Sequence, residues 1–212
     1  MKNWIILVLA AAVVILSVRF AESRPEDRNE ENKNTEEMAE NIAYENILTR
    51  MSVRSYTSEA VPDSIIEKLL RAGMSAPSAV NKQPWEFVVI TDPKLRAAIA
   101  EASPNAGMAA KAPLSIAVCG NLDKALEGRP QEYWIQDCSA ASENILLAAH
   151  ALGLGGVWCG FYPSEERIAA LRKILNLPDN LIPLNVINIG YPEGEPAVKD
   201  KWKPENIHYN RY

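Results

Sequence analysis

Residues 132–152, EYWIQDCSAASENILLAAHAL, are the longest stretch of this chain with a helical pattern. They are rich in alanine and leucine and apolar around much of the helix circumference, which implies burial on more than one side. In a domain this small, a helix with two covered faces is either central to the monomer or shared at a dimer interface. Toward the C-terminus follow a short strand at 156–161 (GVWCGF), a helix at 164–175 with Ile168, Leu171 and Leu175 inward, and a last strand at 182–190 (IPLNVINIG). Toward the N-terminus lie a strand at 113–119 (PLSIAVC), a helix at 93–102, and a strand at 85–91 (WEFVVIT) closed by the turn signal Asp92-Pro93. Val61-Pro62-Asp63 opens a further helix whose buried face is Ile65, Ile66, Leu69 and Leu70. A short amphipathic helix covers 42–50 (IAYENILTR), and no internal repeat is visible. Helices outnumber strands and alternate with them irregularly. The expected class is therefore α+β, a small mixed or antiparallel sheet flanked by helices.

The 212 residues suit one domain with an appendage, and 48% hydrophobic content is ordinary for a full core. The net charge of −5 is concentrated in residues 22–41, which hold eight acids and three bases. That acidic stretch is short of large apolar side chains and is expected to form a disordered linker. Residues 42–212 carry only −2, which leaves no general nucleic-acid footprint.

Ahead of the linker, WIILVLAAAVVILSV (4–18) has one weakly polar member and is preceded by Lys2. As a helix it spans roughly 22 Å, short of the roughly 30 Å hydrocarbon core. This length suits a signal peptide or a short membrane anchor within residues 1–21. A cut after Ala21 places Arg19 at the −3 position, and a cut after Ser17 places Ile15 there, so cleavage stays open. The side of the membrane is open as well, although Arg19, Arg24 and Arg28 favour a cytoplasmic domain on an uncleaved anchor. The expected location is membrane-anchored or exported, at the cell envelope, with membrane contact only through this segment.

Cys119, Cys138 and Cys159 are odd in number and widely spaced, so they form no disulfide framework. With only His150 and His208 beside them, they form no zinc site either, and Cys119 and Cys138 read as core residues. The glycines of GLGGVWCG (153–160) follow a helix and precede a strand, the reverse of a dinucleotide-binding fingerprint. Two isolated histidines without a nucleophile elbow exclude a hydrolase triad, and no carboxylate pair suits glycoside hydrolysis.

Other residues point to a bound cofactor. In RMSVR (50–54), Arg50, Ser52 and Arg54 fall on one side of an extended chain and can converge on one anion, such as a phosphate monoester. Read alone, the same residues also suit a solvated basic turn. In APSAVNKQPW (76–85), Asn81 and Gln83 offer donors and acceptors, and Ser78 and Ala79 are small enough for a planar ring to lie on the backbone. Alone, this is equally a polar helix-to-strand loop. Cys159 and Gly160 can present backbone N–H groups at a strand end, or form a plain turn. Lys199-Asp200-Lys201 by itself reads as an exposed charged loop. The set is rich in cofactor-gripping groups and poor in acids and bases, which suits a redox cofactor that performs the chemistry itself.

Taken together, these residues resemble the FMN-dependent nitroreductase family over nearly all of residues 43–212. The resemblance rests on R-x-S-x-R at 50–54 and A-P-S-x-x-N-x-Q-P-W at 76–85. It continues with DCSAASENILLAAHALGLG at 137–155, GVWCG at 156–160, and Gly190-Tyr191-Pro192 with Lys199-Asp200-Lys201. It implies an FMN-binding domain over 42–212 with the nitroreductase-like fold, in an interlocked homodimer holding FMN at the subunit interface. It further implies that Arg50, Ser52, Arg54 and Lys201 hold the phosphate and ribityl chain, with Lys199 as a further cofactor-binding residue. Pro77, Ser78, Asn81 and Gln83 would contact the isoalloxazine, Cys159 and Gly160 would supply backbone donors, and Asn105 is a further candidate. Lys201 departs from the arginine frequent there in the family, keeping the charge but losing the bidentate fork. The implied activity is ping-pong transfer of two electrons from NADH or NADPH through FMN to a nitroaromatic, quinone or similar small-molecule acceptor, with no catalytic side chain required. The alternative is a membrane-tethered flavin- or ligand-binding module without NAD(P)H turnover.

Overall fold

The computed structural model describes residues 41–194 and 197–212, with Arg129 and Pro130 described by backbone alone. The apolar segment 4–18 and the acidic stretch up to residue 40 lie outside the described residues. Among the described residues, no helix is long and apolar enough to cross a membrane. The chain divides into compact units at Leu48/Thr49. Residues 41–49 are helical (α1), so Asn41 belongs to a helix rather than to the expected linker.

From Thr49 onward the elements follow the expected order. They are α2 (Asp63–Met74), β1 (Trp85–Ile90), α3 (Pro93–Glu101), β2 (Leu114–Asn121), α4 (Tyr133–Ala151), β3 (Gly155–Gly160), α5 (Glu165–Leu175) and β4 (Leu181–Gly190). The four strands form one sheet in the order β1-β2-β4-β3 with every pair antiparallel, which resolves the expected mixed-or-antiparallel sheet. Helix ends use local chemistry. The Asp92 carboxylate accepts from Lys94 N–H at 2.8 Å to cap α3, and Asn176 closes α5 in the left-handed conformation.

The sheet is covered on both faces, so β2 is buried along its whole length. On one face, Leu114, Ile116 and Val118 of β2 pack with Ile66 and Leu69 of α2 and with α4. On the other, Ala117 and Cys119 join Ile99 of α3 and Leu171 of α5. Register slips between Val118 and Cys119, which pair with Asn185 and Pro183, leaving Leu184 as an extra residue in β4. The bulge flips the alternation there. Leu184 thus lies on the α4 face with Ile187 and Ile189, while Val186 faces α3 and α5.

Helix α4 places Trp134, Cys138, Ala141, Ile145 and Ala149 in a stripe toward the sheet. Its flank meets α2, where Asn144 Nδ2 donates to Ala72 O at 3.1 Å. The two covered faces read from sequence are therefore the sheet and α2, and within the chain this helix is central. Ile145 is fully buried in this layer, so Ile145→Ala should lower the unfolding free energy by about 2–5 kcal/mol. Denaturant midpoints measure this, and a loss under about 1 kcal/mol would contradict the packing described.

Candidate functional site

Segment 50–54 runs beside β3. Ser52 forms an isolated parallel bridge with Gly156, and Val53 N–H donates to Gly156 O at 3.1 Å. The approach requires glycine at 155, because a Cβ there would lie 2.4 Å from Val53 Cγ2 and 2.5 Å from its Cβ. Val53 is buried, so alternation turns its neighbours outward. Arg50, Ser52 and Arg54 accordingly line one cavity of about 230 Å³, together with Lys199 and Lys201. Arg50 is only 16% exposed at its side chain and pairs through Nε with Glu143 of α4 at 3.1 Å. Arg54 reaches Ser52 O at 3.4 Å. Among the described residues, Arg54, Lys199 and Lys201 have no carboxylate partner within ion-pair distance. Burial and the adjacent Arg50 charge both hold the His150 pKa below its usual value.

A second cavity, of about 490 Å³, shares Arg54 with the first and is lined by Asn105, Met108, Trp158, Cys159 and Gly160, among others. Its wall is held by a buried polar network. Cys159 Sγ lies 3.3 Å from Asn105 O and accepts from Asn188 Nδ2 at 3.3 Å. Ser115 Oγ donates to Asn188 Oδ1 at 2.6 Å. The Tyr56 hydroxyl lies 2.5 Å from Val53 O and 3.0 Å from Asn188 O. Burial pushes the Tyr56 and Cys159 pKa values up; for Cys159 the Asn188 hydrogen bond and the Arg54 charge oppose that.

Strand parity distinguishes the two expected backbone donors. Phe161 N–H bonds to Leu184 O and Gly156 O faces Val53, so Gly155, Val157 and Cys159 point their backbone groups at β4. Gly160 N–H faces the open edge, on the side of segment 50–54, whereas Cys159 N–H faces the ladder.

The loop containing Pro77, Ser78, Asn81 and Gln83 is not brought to either cavity. Pro77 and Ser78 line a third space, of about 360 Å³, with Tyr133, Gln136 and Asp137 of α4. Asn81 and Gln83 are exposed and bond to each other, Nε2 to Oδ1, at 3.1 Å. The loop is held tightly despite its exposure. Ser78 Oγ accepts from Gln83 N–H at 2.9 Å, and the buried Asp137 carboxylate accepts from Ala79 N–H at 2.8 Å. Val80, Asn81 and Gln83 all adopt left-handed backbone angles. Such strain is uncommon outside glycine and clusters where function over-determines the backbone.

Asn188, Asp137, Glu143 and Tyr56 are the positioning groups that sequence reasoning passed over. Asn188 carried a signal in IPLNVINIG, as a polar residue inside a strand otherwise suited to burial. For Glu143 and for the Tyr56 bond to Asn188 the signal was absent, since those partners lie 93 and 132 residues away.

Comparison with known proteins agrees with this architecture. The nitroreductase family model matches residues 47–117 and 104–191. A Methanothermobacter thermautotrophicus protein described as an NADH dehydrogenase/NAD(P)H nitroreductase is 44% identical over 168 residues, covering 79% of this chain and 86% of that protein. A solved Parabacteroides distasonis structure with the same description superposes with a TM-score of 0.77 at 45% identity, covering 80% of this chain and 98% of that one. The Vibrio harveyi NADPH:FMN oxidoreductase, solved with NAD+, gives 0.73 at 26% identity over 80% of this chain and 77% of that one. The chain belongs to the nitroreductase family, and its α+β fold is the fold of that family.

The donor set fits FMN. Two guanidiniums, a hydroxyl and two ammoniums face one space, the complement of a phosphate monoester. The adjoining cavity falls within the usual size of ligand sites, roughly 300–1,000 Å³.

The thiols give a direct check on burial. All three cysteines are buried, and burial, with Glu86 adding to it, pushes the Cys119 pKa up to about 12. The pKa values of Cys138 and Cys159 are raised too, so the reactive thiolate is suppressed at neutral pH. Native protein should react with Ellman's reagent far more slowly than denatured protein, with all three thiols appearing only in denaturant. Rapid reaction of one equivalent in the native state would place Cys159 in open solvent.

Proposed function

We propose that this chain binds FMN in the paired cavities and works by a ping-pong cycle. The coarser activity, NAD(P)H-dependent flavin oxidoreduction, follows from family membership and from relatives described as an oxygen-insensitive NADPH nitroreductase and an FMN reductase. The observation that carries the finer reading is the convergence of Arg50, Ser52, Arg54, Lys199 and Lys201 on one cavity whose wall at Arg54 continues into the space at the end of β3. Held there by Arg50, Ser52, Arg54, Lys199 and Lys201, FMN would supply two-electron redox chemistry between NADH or NADPH and an acceptor such as a nitroaromatic or quinone, the two substrates using the site in turn.

The chain's own work is binding and orientation. The cationic cradle holds the phosphate and ribityl chain, with Glu143 fixing Arg50 from α4. The Gly160 N–H at the open strand edge offers a donor to the ring system, and Asn105 and Cys159 shape the wall beside it. Pro77, Ser78, Asn81 and Gln83 belong to a separate surface of the same chain. The site is therefore completed in a homodimer, where this loop of a second copy closes over the ring. No lining side chain has to act as an acid or base. The enzyme also belongs at the membrane or beyond it, a reading supported by residues 4–18 alone and tested by fractionating the native host.

Purified residues 42–212 should be yellow, bleach anaerobically under NADH or NADPH, and regain colour on adding a nitroaromatic, with parallel double-reciprocal plots. Colourless protein that takes up no FMN would refute the reading. Loss of one charge-assisted contact costs about 1.5–3 kcal/mol, so Arg54→Ala should raise the FMN dissociation constant by about tenfold or more. Unchanged affinity would remove Arg54 from the cradle.

A further inference from the structure

A third basic cavity lies apart from the flavin spaces, between the exit of β1, the start of α3 and the entry to β2. It measures about 350 Å³ and is lined by Ser58, Thr91, Arg96 and Lys111, with Ala60, Val61, Ala110 and Pro113. Two cations and two hydroxyls line it, and among the described residues no carboxylate does. Arg96 Nε is buried and has no hydrogen-bond partner among the described residues. Asp92, the acid one turn away, opposes the effect of burial on Arg96 through its charge, but it makes no hydrogen bond to Nε, and one of its carboxylate oxygens caps α3. A buried N–H left without an acceptor is costly, and burial pulls the Arg96 pKa down. An oxygen-bearing anion in this space would offset both effects.

We propose that Arg96, Lys111, Ser58 and Thr91 form a binding site for a small oxyanion, a phosphate- or carboxylate-bearing metabolite, separate from the flavin cavities. The guanidinium and ammonium supply charge-assisted donors, and the hydroxyls supply neutral ones. The two chain segments that wall this cavity also wall the flavin spaces. Segment 54–58 runs from Arg54 to Ser58, and segment 105–111 runs from Asn105 and Met108 to Lys111. Binding here therefore bears directly on the backbone that carries Arg54 and Asn105. The proposal extends beyond the redox reading, since it concerns residues outside the flavin cavities.

The test uses full-length protein saturated with FMN, so that the flavin's own phosphate occupies the cradle. Inorganic phosphate and, separately, acetate are titrated at constant ionic strength with chloride as the balancing salt, read by thermal shift and calorimetry. Saturable stabilisation by at least one of the two anions is expected, and the responding anion distinguishes a phosphate ligand from a carboxylate ligand. Lys111→Gln, at an exposed position, and Arg96→Gln should each weaken that binding at least fivefold while leaving NADH oxidation without anion unchanged for Lys111→Gln. If Arg96→Gln fails to fold, Lys111→Gln decides alone. Absence of saturable binding by both anions, or equal binding by wild type and Lys111→Gln, overturns the proposal. Neither result touches the FMN assignment, which colour and bleaching report independently.

Discussion

The close approach of Val53 to Gly155 is the contact on which the site depends. With no Cβ at 155, segment 50–54 can lie against the outer edge of β3 and bond through Val53 N–H to Gly156 O. Burying Val53 then fixes the sense of alternation, so that Arg50, Ser52 and Arg54 face one space. Any side chain at 155 would lift the segment from the sheet and disperse its charges. The glycine run that superficially invites a nucleotide-binding reading is thus a packing device that brings a cationic segment to a strand edge.

A second layer of constraint comes from buried polar groups. Asn188 holds Ser115 on one side and the Cys159 thiol on the other, while Tyr56 bridges to the backbone of Val53 and Asn188. These bonds tie β2, β3, β4 and segment 53–56 into one unit behind the cavity wall. Buried networks of this kind are costly if incomplete, so they enforce a single arrangement. Across α4, Glu143 restrains Arg50 and Asp137 restrains the loop at Ala79. One helix therefore restrains both segment 50–54 and the 77–83 loop, although the two open on different surfaces of the chain.

Much of this was legible in the residue pattern. The 132–152 helix, the apolar strands and the turns at Asp92-Pro93 and Val61-Pro62 each follow local periodicity or backbone preference, and the structure places them within a residue or two. The R-x-S-x-R alternation likewise announced a shared direction for three side chains. Other features left no local trace. The bulge at Leu184 moves one apolar residue to the other face of β4, which alternation in IPLNVINIG does not reveal. Cys159 and Gly160 looked equivalent as backbone donors, yet the pairing of β3 with β4 turns only Gly160 outward.

By itself, the sequence determined which segments are helices and strands, where the charge lies, and that the side chains of Arg50, Ser52 and Arg54 share a direction. These are properties of neighbouring residues, set by side-chain periodicity and by hydrogen-bonding chemistry. Only the tertiary structure decided that Gly155 carries the packing and that the 77–83 loop opens on a different surface. Each of those facts depends on strand register and on contacts between residues far apart in the chain, where geometry rather than local preference selects the outcome.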